Sequence, residues 1–310
     1  MKSVALVLCA VFVVVNGEAG RSAVRDVLQR RLIAARNNLR VAEGATESPL
    51  KPDPELMTLS EKLFSLDQAG NAAKENINWA VNTRSTNGKL FTKLDQSVFA
   101  KPTYKAFIAL LDNYIPATGI AEAVTPQEKA EESAFLDAIL KTPVMTEAWN
   151  FLKKRGLAAA TLDGFKAELA RYWFTVYRRK GAPDTSGFEH VFVGEVRGNA
   201  PTDNTDGFHS WIQLAKEEQA GRTEYQKWKG QNEPDLYGMQ FKWQNHLKIK
   251  STIAIGESPE MSMAINTVCF LVAPNNECKI QMGGAPASIM TYKWDTRDPK
   301  EFYVASAYYN

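Results

Sequence analysis

Ser186-Gly187-Phe188-Glu189-His190-Val191-Phe192-Val193-Gly194-Glu195-Val196 opens the half of the chain whose reading decides the fold. It lies just past Arg179-Lys180-Gly181, where the hydrophobic pattern changes. From there, β-prone runs at Phe188–Val196, Gly238–Trp243, Ser251–Ile255, Thr267–Ala273, Ile289–Trp294 and Phe302–Tyr308 alternate with two helical stretches, a clear one over Phe208–Glu218 and a short one after Pro259. Short strands joined by turns imply antiparallel sheets. Upstream, from about Leu56 to Tyr177, the spacing of apolar residues is helical, broken by Asn87-Gly88, Pro102, Pro116, Pro126, Pro143 and Gly156. Thr125-Pro126-Gln127-Glu128 has the form of a helix start, with a hydroxyl cap, proline in the first turn and Glu128 placed to close a capping box. The expected fold is α+β: a helical N-terminal lobe over residues 51–180, then a lobe of antiparallel β-sheets over 181–310 that forms a concave cleft.

Met1 to Gly20 places Lys2 ahead of an apolar run from Val4 to Val15 and then small and polar residues, the pattern of a cleaved secretory signal. The run falls short of the roughly 20 apolar residues that a membrane-spanning helix needs, and no comparable run follows. Secretion is therefore expected, without membrane insertion. Residues 21–50 read as a basic amphipathic helix from Ser22 to Val41, then a linker rich in Ser, Thr, Pro and acidic residues. Of the three cysteines, Cys9 leaves with the signal. Cys269 and Cys278 are then the pair available in an oxidising compartment, and a disulfide between them is expected, across a strand and a Pro274-Asn275-Asn276 turn.

A formal charge of +2 is far from the strong basic excess of a duplex-binding protein. Chemistry has to be sought in particular residues. The helical half from residue 51 to 180 contains no histidine and no cysteine, whereas His190, His209 and His246 all fall in the second half. His209 follows Asn204-Thr205-Asp206-Gly207-Phe208, so the pattern places it in the first turn of a helix capped by Thr205 or Asp206, where the dipole disfavours imidazolium and free N–H groups attract phosphate. His190 lies on an expected strand beside Glu189 and Glu195. Strict alternation turns both carboxylates away from it unless Gly194 marks a bulge that re-aims Glu195.

Three blocks carry a resemblance: Ser186 to Glu195, then Gly207-Phe208-His209-Ser210-Trp211-Ile212, then Ile255-Gly256-Glu257-Ser258-Pro259-Glu260. In order and spacing they resemble the EndoU (XendoU-like, poly(U)-specific) endoribonucleases, densely from about Pro183 to Asn310 and more thinly back to about Pro52. The resemblance implies a His-His-Lys catalytic set of His190, His209 and Lys248, with Lys250 as the rival lysine. It implies substrate-binding roles for Glu189, Glu195, Arg179 (with Arg178 as rival), Thr252, Ser306 and Tyr308, the last two forming the hydroxyl-x-Tyr element that faces uracil. Ser306 stands where threonine is usual, and Ile249-Lys250-Ser251 stands where the family often has small or neutral residues. Stimulation by Mn²⁺ is also implied, although no ligand cluster is recognisable; Glu189, Glu195, Asp203 and Asp206 are the nearby acids.

The implied reaction is cleavage of single-stranded, uridine-containing RNA. One histidine takes the 2′-hydroxyl proton, the other protonates the leaving 5′-oxygen, and the lysine offsets phosphoryl charge, leaving a 2′,3′-cyclic phosphate. His209 is the expected base and His190 the expected acid, acting in a monomer. Two other classes compete. A zinc hydrolase would use all three histidines as ligands, yet no His-x-x-x-His pair pre-arranges any two of them. A secreted RNA-binding protein of the same fold, without turnover, would keep the residues and lose their alignment.

Overall fold

The Asp53 carboxylate accepts hydrogen bonds from the N–H groups of Glu55 and Leu56 and starts helix α1 (Pro54–Ala69). A computed structural model describes residues 52–79, 88–179, 181–197, 204–232, 234–298 and 301–310. The expected signal and basic helix, residues 1–50, lie outside them. Strands β1 (Ile77–Trp79) and β2 (Phe91–Leu94) pair antiparallel after α1. Four helices follow: α2 (Pro102–Ala109), α3 (Pro126–Ile139), α4 (Pro143–Lys154) and α5 (Leu162–Phe174). Proline in the first turn of α1 to α4 costs nothing, because its missing N–H would have had no partner there. Thr125 and Glu128 close the expected capping box on α3.

The second half is built on sheets. Strands β3 (Glu195–Val196) and β4 (Thr205–Asp206) form a short antiparallel pair, followed by helix α6 (Trp211–Gln219). Strands β5 (Thr223–Asn232), β6 (Leu236–Trp243) and β7 (His246–Ala254) make one antiparallel sheet. After helix α7 (Pro259–Val272), strands β8 (Glu277–Met282), β9 (Ala285–Asp295) and β10 (Phe302–Tyr309) make another, ordered β10-β9-β8. The architecture is α+β, as expected. No helix among the described residues is long and apolar enough to cross a membrane.

Two expected strands are helical instead. Thr267–Ala273 forms the last turns of α7, which is buried along almost all its length. An apolar run rich in β-branched residues reads alike as a buried strand or a buried helix, and here its length with the residues before it decides for helix. The third sequence block is the start of that helix: Ser258 caps it by accepting from Met261 N at 3.2 Å, Pro259 follows, and Glu260 stands in the first turn. Gly256, at φ 90°, passes so close to the Lys74 backbone that a Cβ there would lie 3.1 Å from it. Cys269 in α7 and Cys278 in β8 are joined as a disulfide with Cα atoms 5.4 Å apart, so the bridge ties a helix to a strand and not, as expected, a strand to a turn. The other misassigned strand, Phe188–Val196, holds the site and is treated below.

Around α7 lies a buried carboxyl network. Tyr309 Oη donates to Glu257 Oε1 at 2.5 Å, Ser262 Oγ donates to Glu257 Oε2, and Asp67 of α1 accepts from Ser258 N at 3.3 Å. Burial pushes Glu257 up to about 8 and Asp67 up to about 7. A carboxyl that holds its proton more tightly when folded favours the fold at low pH, and this advantage fades as pH rises from the usual carboxylate range to the raised value. Glu257→Gln keeps the shape without the charge. Thermal melts are expected to show little change from the unsubstituted protein near pH 5 and a higher Tm for the variant above about pH 8.

Candidate active site

Ser186 and Glu189 cap each other: Glu189 N donates to Ser186 Oγ at 3.1 Å and Ser186 N donates to Glu189 Oε2 at 3.3 Å. This reciprocal cap starts a helical turn that runs on as a π-type turn over Glu189–Val193, where a strand was expected. The turn is anchored from below. Phe188 and Phe192 enter an aromatic core supplied by the helical half, with Phe107, Phe174 and Trp173 at ring-centroid distances of 5.1–5.7 Å. Packing them inward leaves His190 at the cleft.

Gly194 ends the turn at φ 100°, a conformation open to glycine at no steric cost, and its α-carbon faces the Phe208 ring, where a Cβ would lie 2.8 Å away. The chain reverses there, and Glu195 Oε2 comes back to 2.7 Å from His190 Nδ1. The expected bulge is thus a helix-to-strand junction with the same effect. Arg179 completes the group: its Nη1 lies 3.0 Å from Glu195 Oε2 and 2.8 Å from His190 Nδ1, and its Nη2 donates to Ala305 O at 3.0 Å. A carboxylate oxygen carries only lone pairs, so the 2.7 Å contact puts the proton on Nδ1, and the Arg179 proton goes to the carboxylate. Arg178, the rival, is exposed and, among the described residues, reaches Gly181 O at 3.5 Å, not the His190 cluster. Glu189 departs from its expected role. It is fully buried beneath the turn and absent from the cleft wall; burial, with the charges of Glu195 and Glu122, pushes it up to about 10, so it is a neutral cap.

The second histidine is held to the first by main chain. Gly207 and Phe208 adopt φ of 58° and 63°; Phe208 N donates to His190 O at 3.0 Å and His209 N donates to Val191 O at 2.8 Å. Phe208 packs against Phe241 and Trp243 of β6 at 4.9 and 5.1 Å. Helix α6 begins later than expected, capped by Ser210, whose Oγ accepts from Gln213 N, so His209 precedes the helix. Its environment sets its charge. Burial comes first, then the charges of Lys248 and His190, and together they hold the imidazole well below its usual range. The helix dipole expected to do this is not the main cause.

Lys248 faces this pair through a bulge. On β7, Lys248 lies opposite Phe241 and Ser251 opposite Met239, so two residues, Ile249 and Lys250, stand against Gln240 alone. The extra residue puts Lys248 and Ser251 on one face, where alternation would separate them. Lys248 is buried and Lys250 exposed, which favours Lys248 between the two rivals. Burial brings Lys248 down to about 8, with Asp206 acting in the opposite sense. Burial also lowers His190, partly offset by Glu195. Glu195, despite its burial, is held below the usual carboxylate range by the His190 hydrogen bond and the charge of Arg179.

These side chains line one cleft of about 580 Å³ with Thr252, Ser306, Tyr308 and Tyr292. Tyr308 lies flat on His209, ring centroids 4.9 Å apart and planes 11° off parallel. Of the expected site residues the structure brings together His190, His209, Lys248, Arg179, Thr252, Ser306 and Tyr308 in the wall, with Glu195 behind His190. Sequence reasoning missed Ser251, whose Oγ lies 3.0 Å from His209 Nδ1, because alternation placed it away from Lys248.

His246 stands outside this cleft, and among the described residues no group of three His, Cys, Asp or Glu side chains is arranged to hold a metal. The acids nearest the cleft are engaged: Glu195 by Arg179 and His190, Asp206 by Arg197, and Glu189 by its own proton. They do not make a donor set for Mn²⁺. Asp203 lies outside the described residues.

The fold and cleft together define an α+β protein with a neutral imidazole, a carboxylate-backed imidazole and a lysine of lowered pKa around one cavity. The sequence matches the family described as "Endoribonuclease XendoU" over residues 55–309. It is 36% identical to zebrafish uridylate-specific endoribonuclease B over 268 residues, 79% of this chain and 93% of that protein. It is 37% identical to the human uridylate-specific endoribonuclease over 274 residues, 82% of this chain and 65% of the human one. A solved structure titled "The structure of XendoU: a splicing independent snoRNA processing endoribonuclease" superposes with a TM-score of 0.69 at 31% identity, covering 84% of this chain and 97% of that one. The chain belongs to the XendoU endoribonuclease family.

A Cβ on Gly207 would sit 1.6 Å from His190 O, at a φ that other residues rarely adopt. Gly207→Ala is therefore expected to destabilise the protein by about 3 kcal/mol or more, measured as a drop in urea midpoint.

Proposed function

We propose that the protein is a secreted endoribonuclease that cuts single-stranded RNA at uridines by transesterification. The observation that carries this reading is a neutral His209 beside Lys248, in the same cleft as a His190 whose Nδ1 proton is held by a carboxylate. His209 takes the proton of the ribose 2′-hydroxyl. The freed oxygen bonds to the adjacent phosphorus as the bond to the 5′-oxygen breaks, and protonated His190 delivers its proton to that oxygen. The products are a 2′,3′-cyclic phosphate and a 5′-hydroxyl. Glu195 favours the imidazolium of His190, which suits the acid role. Lys248 adds positive charge where the phosphoryl oxygens gain negative charge. Arg179 braces the acid and ties it to the strand that carries Ser306 and Tyr308.

Uracil selection is assigned to the Ser306 hydroxyl and the Tyr308 ring, since stacking holds any base at about 1–3 kcal/mol whereas a hydroxyl can tell one base edge from another. DNA, lacking the 2′-hydroxyl, binds uncut. Residues 1–20 and the Cys269–Cys278 disulfide support secretion.

The test is an oligodeoxynucleotide carrying one ribouridine, incubated with Mn²⁺ or with EDTA. Cleavage on the 3′ side of the uridine to a cyclic phosphate is expected, with His190→Ala, His209→Ala and Lys248→Ala each slower by about 10²–10⁴-fold. An intact strand bound by the protein under both conditions supports the RNA-binding protein without turnover. Turnover is also expected to fall as pH rises in two limbs, first where His190, lowered by burial, loses the proton it must donate, and again through about 8, where Lys248 loses its own. Glu195→Gln should move the His190 limb to lower pH and leave the Lys248 limb in place, because His190 then keeps its proton less well.

A further inference from the structure

His209 alone, if the reaction above is right, has to offer a lone pair rather than a proton. A neutral imidazole carries its hydrogen on either Nδ1 or Nε2, and only one of these tautomers leaves Nε2 free to accept. Ser251, buried on β7, settles the choice through its own single proton. Its Oγ lies 2.8 Å from Phe208 O, where only a hydroxyl proton can bridge two oxygens, and 3.0 Å from His209 Nδ1. With the hydroxyl proton committed to the carbonyl, Oγ faces Nδ1 with a lone pair, so Nδ1 carries the hydrogen. The reverse assignment would leave two oxygens facing each other at 2.8 Å with no hydrogen between them.

We propose that Ser251 is a positioning residue that holds His209 as its Nδ1–H tautomer and so presents Nε2 to the cleft as the proton acceptor. The carbonyl it grips belongs to Phe208, the residue in left-handed conformation that joins the His209 segment to the His190 turn, so one hydroxyl sets both ring orientation and tautomer. Of the other groups acting on the ring, Lys248, His190 and Tyr308 do not make this choice. Lys248 and His190 disfavour its charged form, the Thr252 main-chain carbonyl favours it, and Tyr308 covers a face of the ring. The bulge over Ile249 and Lys250 is what turns Ser251 toward His209 while Lys248 stays in the cleft.

The experiment joins NMR of the imidazole nitrogens with single-turnover kinetics, using the full mature chain labelled with ¹⁵N-histidine and assigned through His190→Asn and His246→Asn. In the unsubstituted protein His209 is expected to show a protonated Nδ1 and a bare Nε2 at neutral pH. Ser251→Ala should shift His209 toward the Nε2–H form and lower kcat by roughly tenfold or more with KM little changed, while Ser251→Thr, which keeps the hydroxyl, restores both. An unchanged tautomer in Ser251→Ala overturns the proposal, as does an altered tautomer with full turnover. The nitrogen spectrum is read without RNA, so it tests the assignment of Ser251 even if the protein cleaves nothing.

Discussion

Two main-chain hydrogen bonds hold the two halves of the candidate chemistry in register: Phe208 N to His190 O and His209 N to Val191 O. Backbone donors have fixed geometry, so the spacing of the two imidazoles is set by the fold and not by side-chain rotamers. The price is paid in conformation at Gly207 and Phe208, both left-handed, and is repaid by packing Phe208 on Phe241 and Trp243. On the other side, the His190 turn is fastened by Phe188 and Phe192 to the aromatic core of the helical half. Thus the helical half, which contributes no side chain to the chemistry before Arg179, fixes one wall of the cleft.

Electrostatics follow from that rigidity. A carboxylate placed on Nδ1 makes His190 the better proton carrier, while burial beside a lysine keeps His209 uncharged. Two like residues in one cleft are given different leanings by their surroundings, the pattern expected of an acid–base pair. Lys248 is itself weakened by burial, so it retains its charge only because the range near neutrality lies below its lowered value.

Much of this was legible beforehand. The capping residues of α3, the strands β6, β7, β9 and β10 and the second-half clustering of histidine could be read from period and composition, because long periodic segments and hydroxyl-proline starts have local causes. What escaped has non-local causes. Phe188–Val196 looks like a strand, yet the Ser186–Glu189 cap and an aromatic socket made by distant helices turn it into a π-type turn. Thr267–Ala273 has strand composition and lies in a buried helix. The bulge at Ile249 and Lys250 is visible only in the pairing with β6, and with it went the contact between Ser251 and His209. Glu189, chosen for its place in a resembling block, belongs to the scaffold: the S-x-x-E spacing that makes it a cap was present in the sequence and had a plainer meaning than substrate binding.

The cleft wall is gathered from five stretches far apart in sequence, around residues 179–197, 206–209, 248–252, 292 and 305–310. Each is held by partners in another, Arg179 on Ala305, His209 on Val191, Ser251 on Phe208. A site assembled in this way has no useful half-built form. An excised lobe or a locally unravelled strand removes a wall rather than a fraction of the rate, so loss of activity on heating or in denaturant reports the first of these walls to open, at or before the melting of the whole domain.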